Sequence, residues 1–135
     1  RVELTESLVM ENPEQARLVL EKLKDAGLKL ALDDFGTGHS SLAYLTRFPF
    51  DTIKIDKALV KDPSDKRAIL LRSVISMARE LDMQVVAEGI ESEEDAVQLA
   101  QMGCDFGQSF LFGPPIGADS IQRLLKERFP LMKRA

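Results

Sequence analysis

Short apolar runs alternate along this chain with longer amphipathic stretches, and that rhythm predicts the elements. Val2-Glu3-Leu4 alternates apolar and polar positions and opens the chain as a short strand. Asn12 then begins a helix, with Pro13 in the first turn, where a missing N–H costs nothing. Ala16, Val19, Leu20, Leu23 and Ala26 follow at helical spacing, and Gly27 ends that helix. Leu28–Asp33 reads as a buried strand running into a second aspartate and the loop Gly36-Thr37-Gly38. A short helix is expected over Ser40–Arg47 and a strand over Thr52–Asp56. A longer helix is expected over Lys66–Leu81, where Leu71, Val74, Ile75, Ala78 and Leu81 share a face. Gln84–Ala87 is strand-like and stops at Glu88. Ser92 caps a helix that runs to Met102 and closes at Gly103. A last strand is expected over Phe106–Phe112 and a last helix over Ala118–Arg128. Five strands alternating with helices argue for an α/β fold: a parallel sheet covered by helices.

The 135 residues suffice for one domain with a real core. Apolar residues make up 44% and charged residues 30%, an ordinary globular balance. Eighteen basic residues face 22 acidic ones, a net charge of −4, which argues against a nucleic-acid polymer as partner. A local cation can still reverse the field at one site, so an anionic small ligand stays open. Cys104 is the only cysteine, so no intrachain disulfide forms, in keeping with a reducing, cytoplasmic compartment. No apolar run approaches the roughly 18 residues of a membrane span, and no signal peptide opens the chain. The sequence starts at Arg1 and enters a strand at once, which reads as a segment of a larger protein, one that could be membrane-anchored upstream.

The chemistry gathers at the downstream ends of the strands: Glu3 and Glu6, Asp33 and Asp34, Lys54 and Asp56, Glu88 and Glu91, then Gln108. In a parallel α/β barrel that edge carries the active site. Carboxylates crowded there repel one another unless protons, a lysine or metal ions neutralise them, and oxygen ligands suit hard cations. Two adjacent aspartates can serve two metals, an arrangement that clamps a phosphodiester for in-line attack by water. Each residue alone has a plainer reading. Asp33-Asp34 suits a solvated turn, Lys54 a solvated strand end, and Glu88 and Glu91 a helix entry favoured by the dipole. The recurrence over five successive strands is what favours a site. Gly36-Thr37-Gly38 is not a phosphate loop, since it lacks both Gly-Lys-Ser/Thr and a third glycine at dinucleotide spacing. His39, the only histidine, reads as a loop-surface residue, and Cys104 as a small core residue.

Taken in order, Glu3-Leu4-Thr5-Glu6-Ser7, Leu32-Asp33-Asp34-Phe35-Gly36-Thr37-Gly38-His39-Ser40-Ser41-Leu42, Lys54-Ile55-Asp56, Ala87-Glu88-Gly89-Ile90-Glu91 and Gln108-Ser109-Phe110-Leu111-Phe112 with Pro114 resemble the motifs of EAL domains. The resemblance covers nearly the whole chain. It implies a modified TIM (β/α) barrel that hydrolyses cyclic di-GMP to linear pGpG with Mg²⁺ or Mn²⁺. Glu3, Asp33, Asp34 and Glu88 then match metal ligands, with Asp33 bridging two metals. Lys54 matches the lysine that orients the attacking water, which makes Lys54 and Glu88 the catalytic pair. Glu6 matches the glutamate that anchors the Asp-Asp-Phe-Gly loop. Asp56, Glu91 and Gln108 match supporting or substrate-binding positions. His39 stands where the family usually has tyrosine, and Ser109 where it usually has glycine.

The resemblance also implies what lies upstream of Arg1: the Glu-Ala-Leu motif itself, a nearby arginine, and an asparagine of the first metal shell. A TIM barrel takes about 250 residues, so residues 1–135 correspond to a partial barrel of about five βα units, the C-terminal portion of a single EAL domain. Such a part should be inactive alone, its two-metal site incomplete. Its open edges should favour a homodimer or a swapped assembly. Sensory or GGDEF domains are expected upstream. Two rival functions stand beside hydrolysis: a non-catalytic domain that binds cyclic di-GMP or a protein partner, and an unrelated metal-dependent barrel such as an enolising enzyme.

Overall fold

A computed structural model describes residues 1–37 and 45–128. Five strands, β1 (Val2–Thr5), β2 (Leu30–Phe35), β3 (Thr52–Ile55), β4 (Gln84–Glu88) and β5 (Phe106–Gln108), form one sheet in sequence order. Every neighbouring pair is parallel. The described helices are α1 (Glu6–Glu11), α2 (Pro13–Asp25), α3 (Lys57–Val60), α4 (Arg67–Glu80), α5 (Glu93–Met102) and α6 (Ala118–Arg128).

Alternation along the strands divides the sheet into two chemistries. Leu30, Leu32, Ile53, Ile55, Val85 and Ala87 join one apolar core with Leu20 of α2, Leu71 and Ile75 of α4 and Leu99 of α5. Each fully buried Leu or Ile there contributes roughly 2 kcal/mol of transfer free energy. The intervening residues, Glu3, Asp33, Lys54 and Glu88 among them, belong to the other face, because side chains alternate with period two. One break in this alternation matters. Leu32 pairs with Ile53 and Phe35 with Ile55, so β2 carries one residue more than β3 across the interval. Asp34 takes the left-handed conformation at φ 56° inside this bulge. The extra residue returns Phe35 to the apolar core, and Asp34 is spared the core position that strict alternation would have given it.

Local chemistry explains where elements start and stop. Asn12 caps α2 by accepting from the Gln15 N–H at 3.2 Å. At the other end Leu28 N–H reaches Leu23 C=O and Gly27 N–H reaches Lys24 C=O, with Gly27 left-handed at φ 78°. This closure uses Leu28 to finish the helix, so the strand begins at Leu30 rather than at Leu28 and runs on to include both aspartates. The last strand is also shorter than the apolar run Phe106–Phe112 predicts. Ser109 Oγ accepts from Leu111 N–H at 2.9 Å, and Phe112 N–H turns back to Ser109 C=O, ending β5 at Gln108. Asp56, expected as the end of β3, instead caps α3, accepting from Ala58 N–H at 2.7 Å. Helices α1 and α3 were not expected from the pattern, because six and four residues are too few to show a period. Most of the helix expected over Ser40–Arg47, and His39, lie outside the described residues.

The two edges of the sheet differ from its middle. Central β3 is buried throughout, whereas β5 is exposed along its whole length and β1 at alternate residues. Phe106, Phe110 and Phe112 present apolar surface at the β5 side.

Candidate active site

Lys54 is the middle of the site. It projects from central β3, is 5% exposed, and is the only lysine among the buried residues described. A buried ammonium needs paired charge to be tolerated. Three strands supply it: Glu3 Oε2 from β1 at 2.9 Å, Asp33 Oδ1 from β2 at 2.9 Å and Glu88 Oε1 from β4 at 2.8 Å. Burial by itself would depress the Lys54 pKa, but the hydrogen bonds to Glu88, Glu3 and Asp33 outweigh it and hold the group well above the ordinary lysine value. Lys54 is thus a fixed donor. Three carboxylates around one ammonium leave a formal surplus of negative charge, which suits a further cation.

Residues far apart in the chain meet here because the sheet is parallel and in register. Glu3 stands opposite Ala31 and Asp33 opposite Thr5, while Lys54 pairs across to Val86, two residues before Glu88. Glu3 lies within β1 rather than at its end, so only its long side chain brings its charge to Lys54.

Asp34 is not among the partners of Lys54. Its backbone N–H donates to Asp33 Oδ1 at 3.0 Å, and its carbonyl accepts from the Thr37 hydroxyl at 2.9 Å, which shapes the turn after β2. Glu6 is buried at the start of α1. Glu91 is largely exposed and ion-paired to Lys61. Gln108 stands opposite Glu88 in the ladder, and its carbonyl accepts from Gly89 N–H at 3.1 Å. Glu88, Glu91 and Gln108 also line a cavity of about 810 Å³ with Lys57, Phe110 and Pro114. Glu88 therefore belongs both to the Lys54 centre and to the cavity wall.

The expected metal ligands come together only in part. Among the described residues no group of three or more His, Cys, Asp or Glu side chains is arranged to hold a metal ion. Three of the expected ligands instead meet at the Lys54 ammonium, their oxygens 2.8–2.9 Å from its nitrogen. In chemistry the donor set still fits, since Glu3, Asp33 and Glu88 offer hard anionic oxygens whose charge Lys54 alone does not neutralise.

Lys57 and Ser109 contribute to the cavity without having been singled out for it by the sequence. Ser109 is legible only as a departure from a motif. It donates its hydroxyl to Ile90 C=O, tying the exits of β4 and β5 together. Nothing in the sequence signals that Lys57, at the start of α3, packs against Gly89 in the loop after β4.

The chain matches the EAL domain family over residues 1–115. It is 41% identical over 136 residues to the cyclic di-GMP phosphodiesterase PdeR of Escherichia coli strain K12, covering 99% of this chain and 20% of that protein. The fold is similar to the PaMucR phosphodiesterase in its c-di-GMP complex, with a TM-score of 0.82 and 36% identity over 88% of this chain and 49% of that one. It is also similar to Klebsiella pneumoniae BlrP1 in a manganese and cy-diGMP complex, with a TM-score of 0.78 and 43% identity over 84% of this chain and 29% of that one. The chain spans about a fifth of the length of the curated relatives it matches and about half of the PaMucR chain. Its five parallel strands correspond to part of an EAL TIM barrel.

Proposed function

The chain belongs to the EAL domain family, and from that premise we propose that its parent domain hydrolyses cyclic di-GMP to linear pGpG. The observation that carries this reading is the convergence of Glu3, Asp33 and Glu88 from three strands on the buried Lys54, beside a cavity that shares Glu88. Hydrolysis of a phosphodiester needs stabilisation of charge on the phosphoryl oxygens and an oriented water. Glu3, Asp33, Asp34 and Glu88 would hold Mg²⁺ or Mn²⁺. When bound, such a cation polarises the phosphoryl oxygen and lowers the pKa of a coordinated water. Lys54, a protonated donor held on three sides, offers a hydrogen bond and positive charge to the phosphate and the attacking water. Glu6 would support the turn after β2, Asp56 fixes the exit of β3 by capping α3, and Glu91 and Gln108, which line the cavity, would face the substrate.

Residues 1–135 would be inactive by themselves, as the C-terminal portion of one EAL domain lacking the upstream part of its metal shell. The exposed edges β1 and β5, with Phe106, Phe110 and Phe112 uncovered, support self-association when the segment stands alone. The test is turnover of cyclic di-GMP by the full-length parent with Mg²⁺ or Mn²⁺, against Asp33→Asn. The expected result is turnover that Asp33→Asn reduces by about two orders of magnitude or more. Equal turnover by the two proteins would refute the role of Asp33.

One observation favours a second reading. The carboxylates close on Lys54 at hydrogen-bond distances, so this ammonium by itself draws the three side chains together, although negative charge remains in surplus. A receptor that binds the dinucleotide without cleaving it would show saturable binding and no turnover at any metal concentration.

A further inference from the structure

We propose that Lys57 is a substrate-binding residue, its ammonium meeting a phosphate of the cyclic dinucleotide in the cavity beside the Lys54 centre. This rests on the dinucleotide reading above and adds to it the cation that answers the ligand's second negative charge.

A cyclic dinucleotide carries two phosphates. The Lys54 centre serves at most one, and its ammonium is already engaged by Glu3, Asp33 and Glu88. The cavity wall carries two acids, Glu88 of that same centre and Glu91, so an anion entering it meets repulsion unless a cation stands nearby. Among the described residues, Lys57 is the only basic one lining that cavity. The neighbouring Lys61 is paired with Glu91 and Lys54 is buried, whereas Lys57 is exposed and has no ion-pair partner among the described residues.

Its position is fixed by the fold. Asp56 caps α3 and makes Lys57 the first residue of that helix. Gly89, left-handed at φ 63°, then lets the loop after β4 pass directly over the lysine stem. A Cβ added at Gly89 would lie 2.4 Å from Lys57 Cβ. The stem is therefore held against the cavity wall while the ammonium stays free to reach solvent or ligand, the division of labour that suits a long cationic side chain.

The experiment compares Lys57→Gln and Lys57→Arg with wild type in the full-length parent, measuring kcat and KM for cyclic di-GMP at several salt concentrations. Glutamine keeps the methylene stem that Gly89 abuts. Lys57→Gln should raise KM by about tenfold, the loss of one charged phosphate contact, with kcat within about twofold. Lys57→Arg should stay within about threefold of wild type in both constants. The dependence of KM on salt should be shallower in Lys57→Gln, because a screened contact has gone. An unchanged KM in Lys57→Gln, or an arginine variant as impaired as the glutamine one, overturns the proposal. If the parent does not turn over cyclic di-GMP, equilibrium binding of the dinucleotide decides instead. A tenfold loss of affinity in Lys57→Gln then sustains the lysine while hydrolysis falls, and absence of binding by the parent overturns both.

Discussion

Replacing Lys54 by methionine removes the one positive charge around which Glu3, Asp33 and Glu88 are arranged, and keeps most of the side-chain volume. Removing one partner of a buried ion pair costs about 3–5 kcal/mol, because the remaining charge stays uncompensated. This site is not fully enclosed. The side chains of Glu3, Asp33 and Glu88 are 42%, 22% and 20% exposed, so solvent screens Glu3 most. Discounting Glu3 and keeping the two better-buried partners gives about 2–3 kcal/mol for Lys54→Met. The assay is urea unfolding of the domain in EDTA, followed by far-UV circular dichroism. Two further readouts separate lost electrostatics from lost packing. Since the folded pKa of Lys54 is raised above the ordinary 10.5, its contribution is fully present below that value and declines only as pH rises through the folded pKa. The gap between wild type and variant should therefore be flat from about pH 6 to pH 9 and narrow only in strong alkali. Added Mn²⁺ should narrow it as well, because a dication supplies the charge the lysine gave. A loss below about 0.5 kcal/mol, or a loss indifferent to Mn²⁺, would show that the carboxylates are not held by Lys54.

Two other expectations concern the frame around the site. Asp51 accepts from Lys24 at 2.7 Å, Lys29 at 2.8 Å and Leu30 N–H at 2.9 Å, pinning the start of β2 beside β3. Burial raises its pKa, but the bonds from Lys24, Lys29 and Leu30 lower it by more. Asp51→Ala should therefore cost about 1–2 kcal/mol at neutral pH in urea unfolding, a gap that shrinks as pH falls below the ordinary carboxylate value of 3.8. Gly89→Ala meets both a left-handed φ of 63° and the Lys57 stem. It should lower stability by about 1–3 kcal/mol by thermal unfolding and weaken dinucleotide binding, whereas Gly27→Ala, with open space around its Cβ, should cost only its backbone strain.

Much of the site's membership was legible because a parallel α/β chain repeats one simple geometry. Polar residues near successive strand ends have to share an edge, so Asp33, Lys54 and Glu88 stand out in the sequence alone. The bulge was not legible. Leu32-Asp33-Asp34-Phe35 reads as a plain continuation of a strand, yet one extra residue there decides that Phe35 enters the core and that Asp34 stays out of it.

The sequence by itself determined the order of the strands and longer helices, the caps at Asn12 and Ser92, the turn at Gly27 and the residue types brought to the site. These rest on interactions a few residues long, which local composition records. Only the tertiary structure decided that the carboxylates would gather on an ammonium at hydrogen-bond distance, and that Gly89 would let Lys57 lie against the cavity. Such contacts join atoms separated by tens of residues, and no local pattern encodes the distance between them.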